Sequence, residues 1–168
     1  GLHAVSIEAD GSKMRPAKAP AEHEPVLPTA TTLLAPVLGL DAVGANVNSR
    51  LFHRDGLVRA VLGLPESGET RFTPRHAADL LVHPAGGAKA RTAGTRLLPL
   101  FNKADTPLHL LYGRLAANHL AARGQGLDLL DIGMDAARQQ GFELAFAADD
   151  LGRGQQQMAV LVPHIEGQ

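Results

Sequence analysis

Apolar positions fall in short runs along the chain, separated by proline, glycine and charge. Ala4-Val5-Ser6-Ile7-Glu8-Ala9-Asp10 reads as a strand that turns acidic at its end, closed by Gly11-Ser12. Lys13 to Pro28 contains four prolines and reads as a loop. Thr31 to Leu40, TTLLAPVLGL, is continuously apolar, the pattern of a buried parallel strand. Asp55 is placed to cap a short helix through Leu62, stopped by Gly63. Thr73-Pro74 opens a helix to about Val82, with Thr as N-cap and Pro at the first turn. Pro84 to Gly94 is a glycine-rich basic loop, and Arg96 to Phe101 a third strand. Thr106-Pro107 opens the longest helix, which places Leu108, Leu111 and Leu115 on one face and stops at Gly124. A further helix is predicted over Leu127 to Gln139, and short strands over Phe142 to Ala147 and Met158 to Val162.

This alternation predicts one α/β domain over residues 1–168, three-layered around a mostly parallel sheet. Two residues conflict with a simple sheet. Pro36 and Pro99 fall inside predicted strands, yet proline cannot donate to a ladder and belongs at an edge or a bulge.

Composition narrows the classes. The 168 residues are 45% apolar and 20% charged, enough for a core of ordinary character. Net charge is −1 and no Lys/Arg cluster suits nucleic acid or an anionic membrane. The absence of cysteine excludes disulfides, thiolate metal sites and cysteine nucleophiles. No apolar run approaches the roughly 20 residues that span a bilayer, and no signal peptide is visible, so a cytoplasmic location is expected. The chain opens Gly-Leu-His, so Gly1 reads as a cleaved-tag scar or a product of trimming, with room for an upstream segment.

The strongest chemical signal is Asn102-Lys103-Ala104-Asp105, an N-K-x-D between a predicted strand and a predicted helix. In guanine-nucleotide-binding proteins the Asp of this motif accepts from the N1 and N2 donors of guanine, a pair that adenine lacks. The Lys stem lies along the base and the Asn amide ties neighbouring loops. A chance match in a chain of this length occurs about one time in fifty on average composition. The plainer alternative is that Asp105 and Thr106 only cap the helix. Ile7-Glu8-Ala9-Asp10-Gly11 has the shape of a Walker B segment, a strand that delivers carboxylates to Mg²⁺; an acidic turn after an edge strand is the alternative. A Walker A loop is missing. Gly39 to Asn46 has the glycine spacing, but Ala45 and Asn46 stand where Lys and Ser/Thr are needed, so it is a decoy. Gly86-Gly87-Ala88-Lys89 has the composition of an anion nest or of a mobile surface loop. His23-Glu24 lacks a second histidine at zinc-ligand spacing, and His76, His83, His109 and His119 make no metal set.

Taken in order, EADGSK (Glu8–Lys13), KAPAEHEPVLP (Lys18–Pro28), GLDAVG (Gly39–Gly44), HR (His53-Arg54), HPAGGAK (His83–Lys89) and LFNKAD (Leu100–Asp105) resemble the YqeC family, accessory proteins for selenium-dependent molybdenum hydroxylases. The family-like region covers about residues 4–125 and the tail 126–168 diverges. The resemblance implies a P-loop NTPase-like fold without its first strand and Walker A loop, and a nucleotide-binding, GTPase-like role in maturing such a hydroxylase. It implies Mg²⁺ with a guanine nucleotide as cofactor, Glu8 and Asp10 as metal-site residues, and Asn102, Lys103 and Asp105 as base-site residues. Lys13 and Lys89, with Lys18, His23, Glu24, His53, Arg54 and His83, would line the same face. The implied partners are the nucleotide and a hydroxylase or cofactor-maturation protein. Hydrolysis of a nucleoside triphosphate is expected only with an upstream phosphate loop.

In that fold the missing strand lies at the sheet centre, between the strands matching Val5–Asp10 and Thr32–Leu40. Its loss leaves two apolar edges. Four outcomes follow: an upstream segment fills the slot, a second chain fills it (self-association through these edges), a later strand such as Met158–Val162 does, or the sheet rearranges. Two other function classes stand beside the nucleotide-binding one. The first is a non-catalytic partner-binding module derived from a P-loop NTPase. The second is a small-molecule transferase or hydrolase using Glu8, Asp10 and His53.

Overall fold

The computed structural model describes residues 4–123 and 157–163. The predicted helix Leu127–Gln139 and strand Phe142–Ala147 lie outside the described residues. Strand β1 (Ala4–Gly11) forms as expected. The apolar run Thr31–Leu40 is split at Pro36 into β3 (Leu33–Ala35) and β4 (Val37–Gly39). The run Arg96–Phe101 is split at Pro99 into β6 (Arg96–Leu97) and β7 (Leu100–Asn102). Two-residue strands β2 (Ala17–Lys18) and β5 (Phe52–His53) pair in parallel. The last described strand, β8, spans Gln157–Pro163.

The two prolines are explained by the direction of the ladder. Arg96, Leu98 and Leu100 donate their N–H groups to the carbonyls of Thr32, Leu34 and Pro36, at 2.8, 2.8 and 2.9 Å. Pro36 therefore still accepts, but it returns no donor, and regular pairing lapses there. Pro99 alternates out of phase with the donors, so its missing N–H faces the open side of β6–β7. β3–β6 and β4–β7 are each parallel, with Gly39 beside Asn102.

The main sheet has the order β1-β8-β3-β6. β8 lies between β1 and β3 and is antiparallel to both, pairing Ser6 and Leu33 through Leu161. The sheet is therefore mixed, which corrects the expected mostly parallel arrangement. Of the four outcomes for the central slot, a later strand occupies it, and β1 does not pair with β3 directly. Because β8 reverses direction twice over, β1 and β3 run the same way.

Helix α1 (Asp55–Leu62) ends at Gly63 in the left-handed conformation, as its sequence predicts. Its N-cap is Arg54 and not Asp55, which is already the first helical residue. α2 (Pro74–Val82) starts at a reciprocal box: the His76 N–H donates to Thr73 Oγ1 and the Thr73 N–H to His76 Nδ1, both at 3.2 Å. α3 (Pro107–Ala121) is capped by Thr106 and stops three residues before Gly124. It buries Ala116, Ala117 and Leu120, with Ala116 and Leu120 clustering with Ala78 of α2. Leu108, Leu111 and Leu115 do share a face, but it is the exposed one, at 53, 50 and 47%. The small residues let α2 and α3 approach closely, so the seam forms on the alanines.

The main core gathers Leu38, Leu40, Phe52, Val58, Phe72 and Leu80, with Phe52 and Phe72 edge to face at 4.9 Å. Arg59 is buried among these residues and wholly satisfied. Its guanidinium donates to the carbonyls of Val47 (2.7 Å), Pro65 (2.8 Å) and Gly68 (3.0 Å) and to Thr70 Oγ1 (3.3 Å). It ties the segment between Val47 and Thr70 into one unit.

Candidate functional site

β1, β3–β4 and β6–β7 share a direction, so their carboxyl ends deliver Asp10, Asp41 and Asn102-Lys103 toward one end of the sheet. In α/β folds that end is where ligands bind. Two polar groupings occur there.

The first is built from β1, β2, the proline-rich loop and the turn into α1. Asp10 forms an ion pair with Lys18, whose ammonium also donates to the Gly11 carbonyl at 2.8 Å and lies 3.4 Å from Glu24 Oε2. Arg54 holds Glu24 with two parallel bonds, Nη1 to Oε2 at 2.6 Å and Nη2 to Oε1 at 2.7 Å. The Ala21 N–H also donates to Glu24, at 3.2 Å. These bonds, chiefly those of Arg54, hold the Glu24 carboxyl down at about 2. Burial pushes Asp10 the other way, above its usual range, against the pull of Lys18. Register pairing of Lys18 with His53 brings the histidine alongside, and Arg15 Nη1 reaches His53 Nδ1 at 3.3 Å. His53 is driven below its ordinary value, first by burial and then by Arg54, Lys18, Lys13 and Arg15.

The second grouping is the N-K-A-D corner. Lys103 adopts a left-handed backbone, φ 60°, which costs a non-glycine residue about 1–2 kcal/mol. Its ammonium donates to Asp41 Oδ2 at 2.8 Å, joining the motif to the turn Leu40–Ala42 that follows β4. Asn102 Oδ1 and Asp41 Oδ1 are buried without a partner, and Asp105 is exposed with no partner among the described residues.

The sequence-predicted residues divide accordingly. Asp10, Lys18, Glu24, His53 and Arg54 come together. Glu8 is exposed, and it does not form a carboxylate pair with Asp10, whose partner is Lys18. Asp10 is thus engaged by an ammonium, and these two carboxylates do not fit Mg²⁺ as arranged. Among the described residues no group of three or more His, Asp or Glu could hold a metal. No hydrogen bond or ion pair joins Glu8, Asp10 and His53 to one another. His23 is exposed, 3.7 Å from Glu24. Lys13 is exposed. Lys89 donates to the carbonyls of Ala21 and Glu22, the latter at 2.9 Å, and so pins the proline-rich loop. His83 Nδ1 accepts from the Ala85 N–H at 3.0 Å.

The Gly86–Lys89 amides are not a nest. Each N–H is used within the turn, on Leu80, His83 or Gly86 carbonyls. The glycines serve close packing: a Cβ at Gly87 would meet the Leu81 carbonyl oxygen at 2.4 Å. In the Gly39–Asn46 loop both glycine amides are spent on distant carbonyls, Gly39 N–H on Pro16 O and Gly44 N–H on Phe72 O, each at 2.8 Å. Sequence reasoning missed Arg15 and Asp41. For Asp41 a usable signal existed, because loops that follow neighbouring parallel strands share an end. For Arg15 the only signal was its closeness to Lys13.

A family model described as YqeC protein matches residues 2–56. That span contains the whole Asp10–Lys18–Glu24–Arg54 grouping with Arg15 and His53, and stops short of the N-K-A-D corner. The chain is also 33% identical, over 99 residues, to the uncharacterized protein YqeC of Escherichia coli (strain K12). The match covers 59% of this chain and 38% of that relative, so the chain spans well under half the length of the curated relative. No solved structure matches the chain significantly. These similarities support the YqeC family. No helix among the described residues is long and apolar enough to cross a membrane.

Proposed function

We propose that the N-K-A-D corner binds the base of a guanine nucleotide, and that the protein acts as a nucleotide-binding accessory factor in maturing a selenium-dependent molybdenum hydroxylase. The observation that carries the first part is the state of the corner. Among the described residues Asp105 lies exposed without a partner, beside a motif whose lysine is held left-handed and whose Asn102 Oδ1 is buried without a donor. Asp105 would accept from the N1 and N2 donors of guanine, and the Lys103 stem would lie along the base. The maturation role rests on the family resemblance, and the P-loop NTPase-like character belongs with it.

Asp105→Asn tests the base site. A lost bidentate contact weakens a guanine nucleotide by about 10- to 100-fold. The Asn amide can instead donate to the extra carbonyl of xanthine, so a xanthosine nucleotide should bind better to the variant than to the parent. Titration calorimetry with both nucleotides reads the outcome. Unchanged guanine affinity, with no gain for xanthosine, would remove this reading.

A second reading, a non-catalytic module that docks on a maturation partner, is favoured by the exposed Leu108–Leu111–Leu115 face of α3. Asp105→Asn would leave such docking intact.

A further inference from the structure

The turn from β1 into β2 carries more positive charge than its surroundings neutralise. Four cations, Lys13, Arg15, Lys18 and Arg54, bear on His53. Two carboxylates lie among them. Asp10 is taken by Lys18, and Glu24 by Arg54 and Lys18. Arg15 is half-buried, and its one side-chain partner among the described residues is the ring nitrogen of His53. Lys13 has none. Two unit charges are left over, one of them partly withdrawn from water.

The donors next to them are also open. A guanidinium only donates, so Nδ1 of His53 accepts from Arg15 and the neutral ring carries its proton on Nε2. Nε2 has no acceptor among the described residues. Ser12, immediately before Lys13, is 2% exposed, and its Oγ is buried without a partner. The Arg54 side chain does not cap α1, and among the described residues no side chain accepts from the first-turn amides of that helix.

The backbone holding these groups is strained. The Arg15 N–H donates to the Ser12 carbonyl at 3.2 Å, closing a turn whose two central residues, Lys13 and Met14, both have positive φ, 53° and 61°. Glycine or asparagine normally occupies those positions. Arg54, which follows His53, is left-handed as well, φ 59°. Three non-glycine residues in this region are thus held at some cost on either side of the Arg15–His53 contact.

We propose that Arg15, Lys13 and the Nε2–H of His53 bind a phosphoryl group. The two unneutralised charges match a phosphate dianion, and every open group is a donor facing a ligand that only accepts. The inference does not depend on the base site at Asp105. The ligand is inorganic phosphate or the phosphoryl end of a phosphorylated small molecule.

The test is titration of the full chain with inorganic phosphate and with guanosine 5′-monophosphate. Arg15→Gln and the exposed Lys13→Met serve as variants. Resonances of the His53 ring report the place of binding. Phosphate should shift the His53 ring in the parent, lose at least tenfold in affinity in Arg15→Gln, and lose several-fold in Lys13→Met, which should melt like the parent. An equal loss for the monophosphate, beyond any seen for guanosine, assigns the phosphoryl group to a nucleotide. A loss confined to inorganic phosphate assigns it to the free anion. Asp105→Asn should leave phosphate affinity unchanged, so failure of the base site reads separately. Phosphate that binds without moving His53, binds Lys13→Met and Arg15→Gln as tightly as the parent, or does not bind at all overturns the proposal.

Discussion

The Asp10–Lys18–Glu24–Arg54 network and the N-K-A-D corner lie toward the same end of the sheet, yet they differ in how fully their charges are paired. In the network each carboxylate has a cation, and Glu24 has four donors. In the corner one ion pair is made, while two buried oxygens and one carboxylate have no partner among the described residues. Saturated charge locks loops together, and open polar atoms are what a ligand can complete. Much of the network is therefore scaffold, although motif reading marks both regions alike as site.

Three changes put that contrast at risk. Arg54→Ala removes two short bonds from a mostly buried carboxylate, and about 2–3 kcal/mol of stability should go with them, read by urea unfolding. A loss no larger than that for an exposed ion pair would mean that the network is ornamental.

Acid should attack the same pair. Folded Glu24 takes its proton only near pH 2, whereas an unfolded glutamate takes it near 4.5. Between those values the unfolded chain binds more protons, so the stability from Glu24 is complete above about pH 4.5 and drains away toward 2. Thermal melts from pH 5 to 2.5 should show a steeper decline for the parent than for Glu24→Gln.

The smallest effect belongs to the corner. Lys103 and Asp41 are 27 and 35% exposed, so Lys103→Met should change stability by less than about 1 kcal/mol. A change as large as that of Arg54→Ala would move the corner into the scaffold and weaken the case for a base site.

Much of the fold is legible in local chemistry. The Thr-Pro starts of α2 and α3, the glycine stop of α1 and the run ending at β4 follow from side-chain caps and period. What was not legible depends on contacts between distant segments. Pro36 and Pro99 look like errors until the ladder shows which side of each strand donates. The α3 leucines look like a core stripe, but helix contact favours Ala116 over bulk. Arg15 meets His53 only because two-residue strands pair, and such pairs are too short to leave a pattern. The motif spacing located Asn102-Lys103-Ala104-Asp105, but no spacing rule shows that Lys103 would take Asp41 as its partner.

The placement of β8 has a consequence for how the protein is made. β1 and β3 emerge from the ribosome long before the strand that joins them, which comes from residues 157–163. At about 5–20 residues per second, both edges wait on the order of ten seconds for that strand. Throughout that interval, among the described strands, β1 has no partner and β3 has only β6, so the two edges that β8 will join stand open to a chaperone or to a neighbouring polysome.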